Sequence, residues 1–145
     1  MTRTLFAVGI GVVLGAGGLS LANHGENPKH ETVKPLSERD IVETLNGKKA
    51  KVTTVEVEFG PGVAGKPHRH PGPIFGYVLE GEFELALDDQ PVKTLKAGET
   101  FYEPGGALHR VSRNPSTKEK TRVLAVILHP RDSGPLVTPE GQEAH

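Results

Sequence analysis

The chain has 145 residues, with 17 Lys+Arg against 18 Asp+Glu and a formal net charge of −1 at pH 7. That length suits one domain, and the near-neutral balance leaves out the basic face that nucleic-acid binding requires. Cysteine is absent, which excludes disulfides and thiolate metal sites.

Met1-Thr2-Arg3 gives a short positive start, residues 5–22 carry no charge, and Ser20-Leu21-Ala22 is a small-x-small triplet. The pattern predicts a signal peptide over residues 1–22, cut after Ala22, and an exported protein, periplasmic or secreted. The alternative is an uncleaved membrane anchor, because a span needs about 20 apolar residues. Gly9, Gly11, Gly15, Gly17 and Gly18 weaken a helix in that stretch. Once the peptide is removed, no membrane attachment is expected.

Residues 23–50 read as a flexible leader followed by a short helix or edge segment. Asn23 to Pro35 is polar and proline-bearing, without apolar period. In Leu36 to Asn46 the apolar residues fall at 36, 41, 42 and 45, Ser37 is a possible cap, and Asn46-Gly47 a stop.

From Lys51 the period changes to two. Val55, Val57 and Phe59 alternate with Glu56 and Glu58, and Phe83, Leu85 and Leu87 alternate with Glu82, Glu84 and Ala86. These are half-buried strands. Ile74 to Leu79 is another strand, and Glu80-Gly81 is expected to turn it into a hairpin with residues 82–87. Further strands are expected over 92–95, 99–103, 107–111 and 122–128. The last, VLAVIL, is apolar on both faces as a central strand is. Many short strands with Gly and Pro turns predict a small antiparallel barrel or jelly roll over residues 51–129. Residues 130–145 are polar and proline-rich and read as a loose tail.

Two clusters carry chemistry. His68-Arg69-His70 follows Gly62 and precedes Gly81; the second cluster is Gly98, Pro104, Gly106, His109 and Asn114. Two histidines two apart on a strand share a face. A third on a neighbouring strand completes three nitrogen ligands for one divalent ion. His70 pointing inward sends Ile74, Gly76 and Val78 inward and Phe75 and Tyr77 outward, provided Pro71-Gly72-Pro73 holds no bulge. Phe101 and Tyr102 face opposite ways, so one lines the barrel. Arg110 and Arg113 read as surface residues, with Arg113 also placed to steer an anion at the rim. His24, His30, His129 and His145 receive no role.

In these motifs the chain resembles the cupin superfamily. Gly62, His68, His70 and Gly81 match its first motif, and Gly98, Pro104, Gly106 and His109 match its second. The resemblance implies an all-β, cupin-type double-stranded β-helix (a jelly-roll barrel), with His68, His70 and His109 as metal ligands. It also brings a departure, because Ile74 stands where the family's glutamate ligand is expected. Glu103 is the one residue that could replace that carboxylate, either as a ligand or by orienting a histidine; no other catalytic residue suggests itself. A divalent ion is implied, iron first, with zinc, nickel, copper and manganese also accepting imidazole. Three neutral rings leave the ion's charge uncompensated, which favours a small anionic ligand or substrate. The readings are a dioxygenase-like enzyme for a small oxygen- or thiol-chelating substrate, or a non-catalytic small-ligand or metal-binding module. A homodimer is implied by resemblance alone.

Overall fold

The structure, a computed structural model, describes residues 29–141. The signal-peptide and anchor readings of residues 1–22, together with His24 and His145, lie outside the described residues. All regular structure described is β. No helix among the described residues is long and apolar enough to cross a membrane.

Ten strands run in chain order: β1 (Thr32–Leu45), β2 (Lys48–Phe59), β3 (His68–Arg69), β4 (Ile74–Glu80), β5 (Glu82–Leu87), β6 (Lys93–Lys96), β7 (Thr100–Glu103), β8 (Leu108–Arg113), β9 (Thr121–Pro130) and β10 (Thr138–Pro139). They form two five-stranded sheets, ordered β1-β2-β9-β4-β7 and β10-β3-β8-β5-β6. Every pairing is antiparallel. Two such sheets face to face make the double-stranded β-helix.

Three expectations are corrected. Of the two readings of residues 36–46, the edge segment holds and the short helix does not: residues 36–45 belong to strand β1, paired with β2, and β1 also takes in Thr32–Pro35 of the expected leader. Asn46 (φ 50) and Gly47 (φ 76) are both left-handed and make a two-residue hairpin turn, not a helix stop. Register shifts at Pro35/Ser37 and between Asp40 and Thr44 break the period of two, which is why the apolar spacing imitated a helix. Second, β4 and β5 lie in different sheets and form no hairpin. Gly81 (φ 76) carries the chain across from one sheet to the other. Third, the tail is not loose where it is described: β10 pairs with β3.

The central position of β9, between β2 and β4, accounts for its apolar run. Phe59, Val63, Val78, Phe83, Leu85 and Val123 come from both sheets and form one cluster; Val55, Ile74, Ala125 and Ile127 form another. Burying a side chain such as Phe83 or Val78 contributes about 1.5–3 kcal/mol. Along β4, Ile74, Gly76 and Val78 are buried and Phe75 and Tyr77 exposed. No bulge after Pro73 reverses the parity read from His70. Gly76 is needed there because a Cβ would overlap the ring of Phe101.

Candidate metal centre

β3 is only two residues long, yet its register decides the site. His68 on β3 pairs directly with His109 on β8, and His70 follows one residue beyond the strand, on the face of His68. One ring nitrogen from each of His68, His70 and His109 lies within 4.8 Å of the other two. The loop after His70 is pinned by Gly106 N–H donating to the His70 carbonyl (2.9 Å) and by Arg69 Nη1 donating to the Gly106 carbonyl (2.8 Å).

Each ring has an oxygen near its outer nitrogen. His68 Nδ1 donates to the Lys66 carbonyl and His70 Nδ1 to the Leu136 carbonyl, both at 2.7 Å. His109 Nδ1 lies 3.2 Å from Glu103 Oε2, off the axis that a hydrogen bond requires. A proton fixed on Nδ1 leaves the lone pair on Nε2. His68 Nε2 and His70 Nε2 then face each other at 3.0 Å. Two nitrogens about 2.1 Å from one ion, at a right angle, stand about that far apart. His109 Nε2 is buried and, among the described residues, makes no hydrogen bond. A buried orphan acceptor is costly, and facing lone pairs repel. One divalent cation relieves both, so the donor set fits a metal of borderline softness.

Burial is the largest influence on His68 and His70 and lowers both pKa values, partly opposed by the Nδ1–H bonds to Lys66 and Leu136. Burial therefore favours the neutral, ligating form of both rings. Glu103, at the end of β7, is 4% exposed, and its Oε2 also lies 3.9 Å from His70 Nε2. Glu103 pairs with Ile74 across the β4–β7 ladder. A carboxylate therefore faces the residue that the motif resemblance sets in place of a glutamate ligand.

The rings open into a cavity of about 150 Å³ walled mainly by aliphatic side chains, among them Val55, Val57, Ala125, Ile127, Leu136 and Val137. Phe101 lines it, while Tyr102 is exposed on the outer face. The charged side chains on the wall other than histidine are Glu31 and Glu103; neither lysine nor arginine contributes. Arg113 pairs with Glu84, and Arg110 donates to the Asp88 and Gln90 carbonyls. Asn114 is a structural pin, its Nδ2 donating to the Gly60 (3.0 Å) and Glu119 (2.7 Å) carbonyls. His129 is buried away from the cavity, accepting from the Thr53 hydroxyl at 2.9 Å. His30 is exposed. Sequence reasoning missed Glu31, Leu136 and Val137 as cavity residues. Leu136 acts through its carbonyl, which no residue type encodes.

A family model described as a cupin domain matches residues 55–127. Over 58 residues the chain is 41% identical to dimethylsulfoniopropionate lyase DddW of Ruegeria pomeroyi, covering 40% of this chain and 38% of that protein. The solved structure of the lyase DddQ from Ruegeria pomeroyi aligns with TM-score 0.52 at 23% identity, covering 63% of this chain and 45% of that one, and is a likeness of fold. An oxalate oxidase in complex with glycolate aligns with TM-score 0.53 at 26% identity, covering 75% of this chain and 56% of that one. The chain thus spans less than two thirds of each of these proteins.

Proposed function

The chain belongs to the cupin family, and on that premise we propose that it is a metal-dependent enzyme for a small molecule, with a divalent ion held by His68, His70 and His109. The observation that carries this reading is the convergence of three imidazoles, two with Nδ1 donating to backbone carbonyls and one with a buried, unpartnered Nε2. When bound, the ion supplies Lewis acidity and a template for the oxygen atoms of the substrate's head group. Iron stands first, and zinc, nickel, copper and manganese suit the same donors.

The cavity limits the substrate. An apolar hole of about 150 Å³ is the size that admits benzene, so the body of the substrate is small. Glu31 and Glu103 together offset a divalent charge, and no lysine or arginine on the wall receives a second anionic group. The broadly anionic ligand expected from the sequence narrows to one oxygen-bearing head with a neutral or cationic body. A carboxylate carrying a sulfonium group, as the name of the lyase relative describes, is of this kind. Glu103, buried beside the rings, is the wall's candidate proton acceptor, taking a proton from the carbon next to the head group as the bond to the leaving group breaks. The elimination needs no oxidant.

A second reading, dioxygen-dependent turnover, is supported by the similarity to oxalate oxidase. The test is to load the purified protein with iron, zinc, nickel or manganese and offer sulfonium carboxylates and, separately, oxalate, diketones and thiols, following product and dissolved oxygen. Elimination product formed equally without oxygen supports the first reading, and oxygen uptake the second. Silence on both panels with the ion bound refutes an enzyme and leaves a binding module. Export belongs to the same proposal, supported by the pattern of residues 1–22; N-terminal sequencing of protein recovered from outside the cytoplasm should begin at Asn23.

A further inference from the structure

The C-terminal segment supplies three parts of the site at once. Its Leu136 carbonyl holds His70 Nδ1 at 2.7 Å, and its Leu136 and Val137 side chains wall the cavity. Leu136 also packs on the cluster of Val55, Ile74, Ala125 and Ile127.

The strands that carry Val55, Val57, Ala125 and Ile127 of the wall are tied into a long ladder, β2 and β9 sharing ten register pairs. The segment is held by far less. Thr138 pairs with Arg69 and Pro139 with His68, Glu140 N–H donates to the Pro67 carbonyl at 3.0 Å, and Arg69 Nη2 meets Glu140 at 3.3 Å in a half-exposed ion pair. Upstream, Ser133 Oγ stays 3.0 Å from the buried His129 Nδ1. Between the two anchors lie Gly134, at φ 49, and Pro135. Elements with few buried contacts and exposed hydrogen bonds open first.

We propose that residues 134–140 form a strap over the cavity, whose release admits the ligand and at the same moment frees His70 from its carbonyl. The strap thereby couples access to the order of one of the three rings. What passes under it rests on the metal-enzyme reading; the strap itself does not.

The test uses Arg69→Cys/Thr138→Cys, made at a register pair. Facing antiparallel positions stand about 4.5–5.5 Å apart, within disulfide range, and the chain has no other cysteine. Oxidised and reduced forms of one polypeptide are compared, so folding is controlled. In the metal-free protein, carbethoxylation of His70 by diethyl pyrocarbonate, read by mass spectrometry, should be about tenfold or more slower in the oxidised form. Transfer of bound zinc to a coloured chelator should slow in the same sense. Equal modification rates in the two forms would overturn the strap. Slowed modification in a protein that takes up no zinc keeps the strap and removes the metal reading.

Discussion

Replacing Glu103 by Gln keeps the side chain's shape and removes its charge. Glu103 is 4% exposed, and among the described residues the only basic groups within 4.0 Å of its carboxylate are His70 and His109. With an ion on the three Nε2 atoms, the carboxylate beside His109 Nδ1 makes that ring the better donor. A carboxylate hydrogen-bonded to a ligating ring changes metal affinity about 10–100-fold, and Glu103, 3.2 Å from His109 Nδ1 but off axis, stands at the lower end of that range, about 1.4 kcal/mol. Without the ion the sign reverses. A buried carboxylate with no lysine or arginine within 4.0 Å among the described residues carries a desolvation cost that the amide avoids. Glu103→Gln should therefore bind zinc about tenfold more weakly, yet melt higher than wild type when metal-free. The first is measured by competition with a chelator of known affinity, the second by calorimetry in excess chelator. Unchanged zinc affinity, in a protein whose His109→Ala variant loses it, would refute the role given to Glu103. A metal-free variant less stable than wild type would refute the electrostatic argument.

Acidification should destabilise the metal-free protein. Burial lowers the pKa values of His68 and His70, while the unfolded chain's imidazoles titrate near 6.5. Below about that pH the unfolded state binds more protons, so the stabilisation is complete above it and declines as pH falls. Melting temperatures against pH should show this decline, reduced in His68→Gln/His70→Gln; identical profiles would contradict it. Gly76→Ala places a methyl group in the ring of Phe101, an overpacking that costs about 1–3 kcal/mol. Urea denaturation reads that loss, and a variant as stable as wild type would show that Phe101 has room to move.

The middle of the barrel was legible because period two is a direct consequence of strand geometry. Burial on β4 alternates from Ile74 to Val78 as the parity of His70 requires, and β9, apolar on both faces, lies inside its sheet. What misled was local. Asn46-Gly47 suits a hairpin turn as well as a helix stop, and two register shifts give the strand before it an apolar spacing that fits either a helix or an edge segment. Glu80-Gly81 has the chemistry of a tight turn, but turn chemistry fixes only the local bend. Whether the next strand pairs with the last or joins the opposite sheet depends on β6 and β8, which claim both edges of β5.

The site divides along the same line. Three histidines, their shared face and Glu103 are side-chain facts, and a sequence displays side chains. The remaining parts belong to the backbone: the Lys66 and Leu136 carbonyls that fix two rings, and the register that sets His68 opposite His109. A carbonyl is present at every residue, so nothing in Leu136 itself announces its use. The composition of residues 130–145, polar and rich in proline, even argues for a free end. Their described part is held because β3 offers a free edge and because Leu136 finds an apolar wall between the sheets. Proline is no obstacle there, since β10 is an edge strand with no neighbour on its far side among the described residues. A ring ordered by a distant carbonyl is only as fixed as the segment carrying that carbonyl. The hold on residues 134–140, as much as the identity of His70, therefore sets how well the third nitrogen is placed.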